Sequence, residues 1–416
     1  MKHVGVLECN LSGSGFMGFE VCKKAGYDIT FLTRNLPRYR NIPMGQRYID
    51  EYVDVIHERE TNVYDDTLAF VRELHRERPF DAFLTLSEYD IVPTAMIAEE
   101  LGVPHLPPEA ARKSRNKHLT RVACHEHGVP APAFVAVATR DEIASAVREV
   151  GLPCIVKPAD ETSSTDVLKC RSVDEAERHF EVIRSKAENV RGQERYEFVL
   201  VEQCIAGFEV SVETMTIDGR HHVYGVTDKM LGGDRYFVEV GHAFPSSMPK
   251  DMVDRCAAVA TASLDAVGFT AGAAHVEVKI DDDGPKLIEI NGRPGGDRIP
   301  DLVAMATGRD PVIDHVHAFL GHEVSMPREG IEPRSGAAIS FFHAPPGTVR
   351  STTGADDVAY CSDVTEVVLP DLVGKVVEPL TKSSTRLGYV IASGRNGFHA
   401  WRQAETARSM LSIEIG

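Results

Sequence analysis

The stretch "AAHVEVKIDDDGPKLIEINGRPGGD" (residues 273–297) decides how the rest of the chain is read. Its two apolar runs are each long enough for a strand, and the "DDDG" between them is turn chemistry, with Gly284 suited to a left-handed position. A three-residue loop of Asp282, Asp283 and Gly284 predicts a hairpin that pairs Asp281 with Pro285 and sets Glu277 across from Glu289. Alternate strand residues share a face. Leu287, Glu289, Asn291 and Arg293 are therefore expected to point one way, and Ile288 and Ile290 the other way, into a core. Two carboxylates opposed in a half-buried sheet repel by about 4 kcal/mol at an effective dielectric of about 20. A cation between them removes that cost. Oxygen donors of this kind suit Mg2+ or Mn2+, which also accept phosphate oxygens from a substrate. A solvated strand face would explain one such carboxylate, but not Glu277, Glu289, Asn291 and Arg293 in one hairpin.

Around this hairpin the composition is that of an ordinary globular protein: 416 residues, 43% hydrophobic and 26% charged. At about 150 residues per domain the length implies a few domains. The formal charge of −17 excludes a general nucleic-acid or anionic-membrane surface, since both need clustered positive charge. It leaves room for a local basic pocket that takes a phosphorylated ligand. The eight cysteines contain no C-x-x-C pair and read as reduced core residues, not as a disulfide framework or zinc site. No apolar run is long enough to span a membrane. The opening "MKHVGVLECN" reads as a strand entering a glycine loop rather than a signal peptide, so the cytoplasm is the expected compartment.

Working outward, residues 3–9 and 27–33 read as buried strands, 67–77 as a helix, "FDAFLTLS" as a strand and 91–101 as a second helix. This alternation predicts a parallel α/β sheet over roughly the first 110 residues. A helix over 115–127 stops at Gly128 with Pro130 and Pro132 beyond it. "FVAVA", a helix over 140–149 and "PCIVKPA" follow. From 197 to 291 the strands alternate regularly and read as largely antiparallel, with one helix over 251–266. Residues 330–416 form a mainly β tail lobe with a last helix near 396–411.

Gly13, Gly15 and Gly18 spell G-x-G-x-x-G between a strand and a helix, the context of a dinucleotide site. The second strand ends "FLTRN", without the acidic residue that holds a ribose 2′-hydroxyl. Arg34 would suit a 2′-phosphate, so an NADP-dependent reductase is one reading. The other is that these glycines only let a helix pack closely on a sheet.

The hairpin and the strand before it resemble the ATP-grasp superfamily of carboxylate–amine ligases, whose metal motif is E-x-N-x-R after an earlier acidic strand residue. The resemblance extends over nearly the whole chain. "SRNKHLTRVACHEHGVPAP" is similar to the segment of the first phosphate lysine, here Lys117, and "PCIVKPA" to that of the second, Lys157. "LVEQCIAGFEVSVE" resembles the adenine hinge, with Glu202 and the backbone of Gln203, Cys204 and Ile205 meeting the base and Glu209 the ribose. The stretch after the second lysine, "ADETSSTDV", has no glycine where the family has a glycine-rich loop. Ser163 and Ser164 would supply donors there, while Asp160, Glu161 and Asp166 would repel phosphate.

Within the superfamily, "TDKMLGGDRYFVEVGHAFPS" and the tail "SGAAISFFHAPPGTV…RLGYVIASG" resemble the L-amino-acid ligases, or dipeptide synthetases. The resemblance implies an α/β (α+β) ATP-grasp fold in four parts. These are a Rossmann-like domain over 1–111, a lid subdomain over 112–196, a catalytic domain over 197–325 and a C-terminal lobe over 326–416. It implies ATP as a substrate and Mg2+ or Mn2+, two ions, held by Glu277, Glu289 and Asn291. Lys229 would contact the γ-phosphate. Arg293, His242 and Glu239 would act in catalysis. Glu239, His242, Arg293, Gly295, Gly296 and Asp297 would line the substrate pocket. The implied reaction joins an amino acid to a second amino acid or amine through an acyl phosphate. The implied partners are small molecules, with no nucleic acid and no membrane, and a homodimer is compatible with the resemblance. Two other readings remain: an ATP-grasp ligase using bicarbonate, a purine-pathway substrate or a specialised acid, and a silent nucleotide-binding module.

Overall fold

The computed structural model describes residues 2–11, 13–232, 236–327 and 330–416. The first sheet holds β1 (Lys2–Cys9), β2 (Tyr27–Thr33), β3 (Val55–Glu58) and β4 (Ala82–Leu86), all parallel, in the order β3-β2-β1-β4. β1, β2 and β4 are almost wholly buried, as parallel strands with both faces covered must be. Helix Gly13–Lys24 packs on this sheet. A Cβ on Gly15 would lie 2.2 Å from the Asn10 carbonyl oxygen, and one on Gly18 would lie 1.9 Å from Leu86 Cδ1. Close approach to the backbone just after β1 accounts for Gly15, and close packing of helix on sheet for Gly18.

The second sheet is antiparallel: β5 (Phe134–Val137), β6 (Cys154–Pro158), β7 (Leu168–Cys170) and β8 (Val199–Gln203), in the order β5-β8-β6-β7. Helices Ile143–Val150 and Val173–Arg184 cover it, burying Ile143, Phe180 and Ile183 against Val156 and Val201. β8 thus belongs with the segment before it.

The third sheet carries β9 (Phe208–Ile217), β10 (Arg220–Gly232), β11 (Val238–Phe244), β12 (Gly272–Asp281), β13 (Gly284–Asn291) and β14 (Gly336–Phe342). The tail adds β15 (Gly347–Thr353), β16 (Val364–Val368), β17 (Val376–Val377), β18 (Gly388–Gly394) and β19 (Ser412–Ile415). The large sheet runs β13-β12-β9-β10-β11-β14-β18-β16, so the tail extends it and is not a lobe apart. Only β15, β17 and β19 form a small sheet of their own. The reason is burial: β14 is buried along its whole length, and pairing it with β11 removes an apolar edge. Helix Lys250–Val267 and the helices Pro108–Arg115 and Lys117–Glu126 pack on the other end of this sheet, around Val212, Val276 and Ile290. These last two helices therefore share the core of the large sheet and not that of β5–β8. Among the described residues no helix is long and apolar enough to cross a membrane.

Candidate active site

The hairpin forms as β12 and β13, with a shifted turn. Gly284, at φ +120°, pairs with Asp281, so Asp282 and Asp283 alone make the turn. A bulge between Leu287 and Glu289 absorbs the one-residue difference, and Glu277 faces Glu289 as expected. The bulge also breaks the alternation. Leu287 joins Ile290 in the core and Ile288 turns to the cavity, the reverse of the expected placing.

One cavity of about 880 Å³ opens where the large sheet, the sheet β5–β8 and residues 381–386 of the tail meet. It is lined by Lys117, Lys157, Ser163, Ser164, Glu202, Gln203, Cys204, Ile205, Glu209 and Lys229, and by Glu239, His242, Glu277, Glu289, Asn291, Arg293, Gly296 and Asp297. Gly295 is the one expected site residue that does not line it. A Cβ there would lie 3.0 Å from His275 Nδ1, so this glycine makes room for a histidine rather than for substrate.

Charge is balanced around the cavity by pairs. Lys117 begins helix Lys117–Glu126, where the Asn116 side chain accepts from the His118 and Leu119 N–H groups. Its Nζ lies 2.7 Å from Glu289 Oε1 and donates to the Glu161 carbonyl at 2.6 Å. Lys157, at the end of β6, lies 2.7 Å from Glu202 Oε2. Burial lowers the Lys157 pKa, and Glu202 opposes the shift. Glu202, expected to meet the base, has its other oxygen 2.9 Å from Arg121 Nε, so it holds two cations instead. The Gln203 N–H bonds the Ala133 carbonyl.

Lys229 is the hub of the site. Its Nζ, almost wholly buried, stands 2.6 Å from Glu209, 3.0 Å from Glu277 and 3.5 Å from Glu239. Burial works against its charge, but the three carboxylates outweigh it and hold its pKa well above the ordinary value. Burial and the neighbouring Glu277 raise the Glu209 pKa. For Glu277 burial is outweighed by Lys229 and His275, which keep it well below the usual carboxylate range. His275 had no signal of its own in the sequence. Burial opposes its charge, yet Glu213, 2.9 Å from Nδ1, and Glu277, 3.4 Å from Nε2, lift it to about 9.

The far end is built by the loop 292–298 and the tail. Asp297, at φ +51°, takes both terminal nitrogens of Arg386 at 2.6 Å, and His242 Nε2 lies 3.3 Å away. Hydrogen bonding to His242 and Arg386, with the Arg386 charge, outweighs burial and holds the Asp297 carboxyl far below its usual range. Arg386 also lies over the Phe341 ring at 3.7 Å and donates to the Glu239 carbonyl. Ser383 donates to Glu239 Oε2 at 3.0 Å. Arg293 is aimed by Glu88, 2.7 Å from its Nε. Arg386, Ser383, Glu88 and His275 were not singled out in the sequence, because each is joined to the site only by contacts distant in the chain.

The donor set suits a hard divalent cation. Glu277 and Glu289 face each other on paired strands, and Asn291 is the next residue but one. Among the described residues no three His, Cys, Asp or Glu side chains gather into a metal-binding cluster. A cation would therefore rest on two carboxylates, an amide oxygen and oxygens of a bound substrate, a set that fits Mg2+ or Mn2+.

A family model described as an ATP-grasp domain matches residues 150–301, the segment that carries Lys157, Glu277 and Glu289. The chain carries an ATP-grasp domain. Two more models flank that match: an ATP-grasp N-terminal domain at 19–105 and an L-amino acid ligase C-terminal domain at 340–416. Alanine–anticapsin ligase of Bacillus subtilis is 26% identical to this ATP-grasp chain over 48% of it and 45% of that protein. A formate-dependent phosphoribosylglycinamide formyltransferase of Marinobacter nauticus is 26% identical over 97% of the chain and 96% of its own length. The matches span 60% or less of the first curated relatives' lengths. The crystal structure of an L-amino acid ligase from Bacillus licheniformis shares the fold, with a TM-score of 0.82 at 23% identity, covering 100% of this chain and 99% of that one.

Proposed function

We propose that this ATP-grasp chain is an ATP-dependent carboxylate–amine ligase that forms an amide bond between an amino acid and the amine of a second amino acid. One observation carries the reading. A single cavity of about 880 Å³ holds buried lysines, two facing carboxylates, and a polar wall of Asp297 and Glu239 with Arg386 of the tail. That is room for ATP and two small substrates.

In this reading the carboxylate of the first substrate attacks the γ-phosphorus and ADP leaves. The amine of the second substrate attacks the resulting acyl phosphate, and phosphate leaves. Lys117 and Lys157 bind phosphate oxygens. Each sits in a buried pair, so binding exchanges a carboxylate partner for a phosphate one. A divalent cation, when bound by Glu277, Glu289 and Asn291, supplies charge neutralisation on the transferred group. Arg293, held in direction by Glu88, stabilises the oxygens of the acyl phosphate and of the tetrahedral intermediate. Glu239 accepts the amine's proton. His242 is less suited to that role, because its Nε2 faces Asp297 and its Nδ1 is enclosed without a partner. No enzyme nucleophile is invoked: Cys204 lines the cavity, but burial pushes its thiol pKa up.

A second reading joins a small acid such as formate to the amine of a phosphorylated acceptor, and the end-to-end match to the formyltransferase favours it. Phosphate release from ATP is measured across paired amino acids, and in parallel with formate and amine-bearing phosphosugars, with mass spectrometry of the products. Release that needs two amino acids and yields a dehydrated adduct supports the dipeptide reading. Release only with formate and a phosphosugar amine overturns it for the second.

A further inference from the structure

The loop 159–167 borders the cavity beside Lys117 and Lys157, where the ATP reading puts the phosphates, yet it carries Asp160, Glu161 and Asp166 and no glycine. Ser163, Ser164 and Asp166 are all left-handed, at φ +55°, +56° and +58°. Such backbone costs energy in any residue with a Cβ and persists only where its surroundings impose it.

Arg195 reaches all three acids of this loop. Its side chain is 6% exposed; Nη1 lies 3.2 Å from Asp160 Oδ1, and Nη2 lies 3.1 Å from both Glu161 Oε1 and Asp166 Oδ2. Lys186 adds a second cation to Asp166 at 2.6 Å from the rim. Lys117 and Arg115 donate to the backbone carbonyls of Glu161 and Asp160, while among the described residues the other partners of these carboxylates are neutral. Glu161 accepts from the Tyr89 hydroxyl at 2.7 Å and the Val190 N–H at 3.1 Å, and Asp160 accepts from the Tyr196 N–H at 2.8 Å. Arg195 rides on residues 187–196, a strap tied to the N-terminal domain. There Arg191 pairs with Glu8 at 3.1 Å, both side chains being buried, and the Asn62 amide donates to the carbonyls of Arg191 and Gly192.

We propose that Arg195 is a positioning residue for the phosphates of ATP: it neutralises the carboxylates of this acidic loop together and holds its left-handed turn, so that the loop can border a triphosphate. The proposal rests on the reading of the cavity as an ATP site. It assigns the strap a role in nucleotide selection. Phosphate-rich nucleotides depend on Arg195, and a nucleotide that does not reach the loop does not.

The test is calorimetric titration of the full chain with AMP and with a non-hydrolysable ATP analogue plus Mg2+. Arg195→Gln is expected to weaken the analogue by about tenfold, the scale of uncompensated charge close to a polyanion, and to leave AMP unchanged. The deficit should shrink as salt rises, because repulsion is screened. Asp166→Asn in the Arg195→Gln background should restore part of the loss, since asparagine tolerates the left-handed backbone and carries no charge. If Arg195→Gln melts too early to titrate, Arg195→Lys is read instead, with a smaller loss confined to the analogue. Equal weakening of AMP and analogue, or no recovery in the double variant, overturns the proposal alone. A wild-type chain that binds neither nucleotide overturns the ATP reading beneath it.

Discussion

Lys229→Met removes a cation that Glu209, Glu239 and Glu277 share and leaves three carboxylates around an apolar side chain. Breaking a buried pair from one side costs about 3–5 kcal/mol, because the remaining charge loses its partner without regaining water. For a chain of 416 residues the unfolding entropy is about 0.9 kcal/mol/K, so the variant should melt about 3–6 °C below wild type at pH 8. The pH dependence carries the sign of the argument. Glu209 already has a raised pKa with Lys229 in place, from burial and from Glu277. Without the lysine the folded state holds protons on these carboxylates that the unfolded state has lost, so stability rises as pH falls and is lost as pH rises through the raised folded values. Each carboxylate that stays protonated only in the folded state returns about 1.4 kcal/mol per pH unit, or about 3 °C between pH 8 and pH 6. Wild type, where Lys229 opposes the rise of these carboxylates, should show less of this recovery. Melting of both proteins followed by intrinsic fluorescence across that range decides it. A variant within about 1 °C of wild type at pH 8, with a parallel pH profile, would refute the coupling argued for Lys229.

Glu289→Gln should lower turnover on the order of a hundredfold, the scale of losing one electrostatic contact to the transferred group; metal-free ADP should bind at least as well, because Lys117 is freed from its partner, and isothermal titration checks that half. Arg386→Met should raise KM for one amino-acid substrate about tenfold with KM for ATP unchanged, since Arg386 holds Asp297 at the end wall and touches neither phosphate lysine. Gly18→Ala should destabilise the chain by about 1–3 kcal/mol, as its Cβ would overlap Leu86; fluorescence titration with NADPH should show no saturable binding to wild type, and saturable binding would revive the dinucleotide reading.

The hairpin shows how far the sequence carries. Glu277 and Glu289 do face each other, but two departures from the expected register cancel to place them: a turn one residue shorter and a bulge one residue later. Alternation and turn residues predict which strands meet, while a bulge depends on packing from both faces and leaves no local mark. The helices Leu36–Arg40 and Pro43–Tyr52 went unread because Pro37 and Pro43 look like breakers; both sit in the first turn, where proline costs nothing. Strands β1, β2 and β4 were legible because buried parallel strands are continuous apolar runs, whereas β3, four residues long and half-buried, was not read. Lys117 and Lys157 stood out only as members of an ordered set, since a lone lysine is usually solvated. Arg386, His275 and Glu88 act through contacts far apart in the chain, and Arg195 acts by cancelling acids 29 to 35 residues away. Glu202 was expected at the base, and its burial between Lys157 and Arg121 became visible only once β6, β8 and the helix Lys117–Glu126 were assembled.

The most direct test of the central claim follows oxygen. The amino acid that supplies the carboxyl group is labelled with ¹⁸O in that group, and the phosphate released during turnover with ATP and an amine partner is analysed by mass spectrometry. Attack of the carboxylate on the γ-phosphorus, followed by amine attack at the acyl carbon, transfers one labelled oxygen to inorganic phosphate. Phosphate carrying that label is the predicted result. Unlabelled phosphate, or label recovered in AMP, would contradict it.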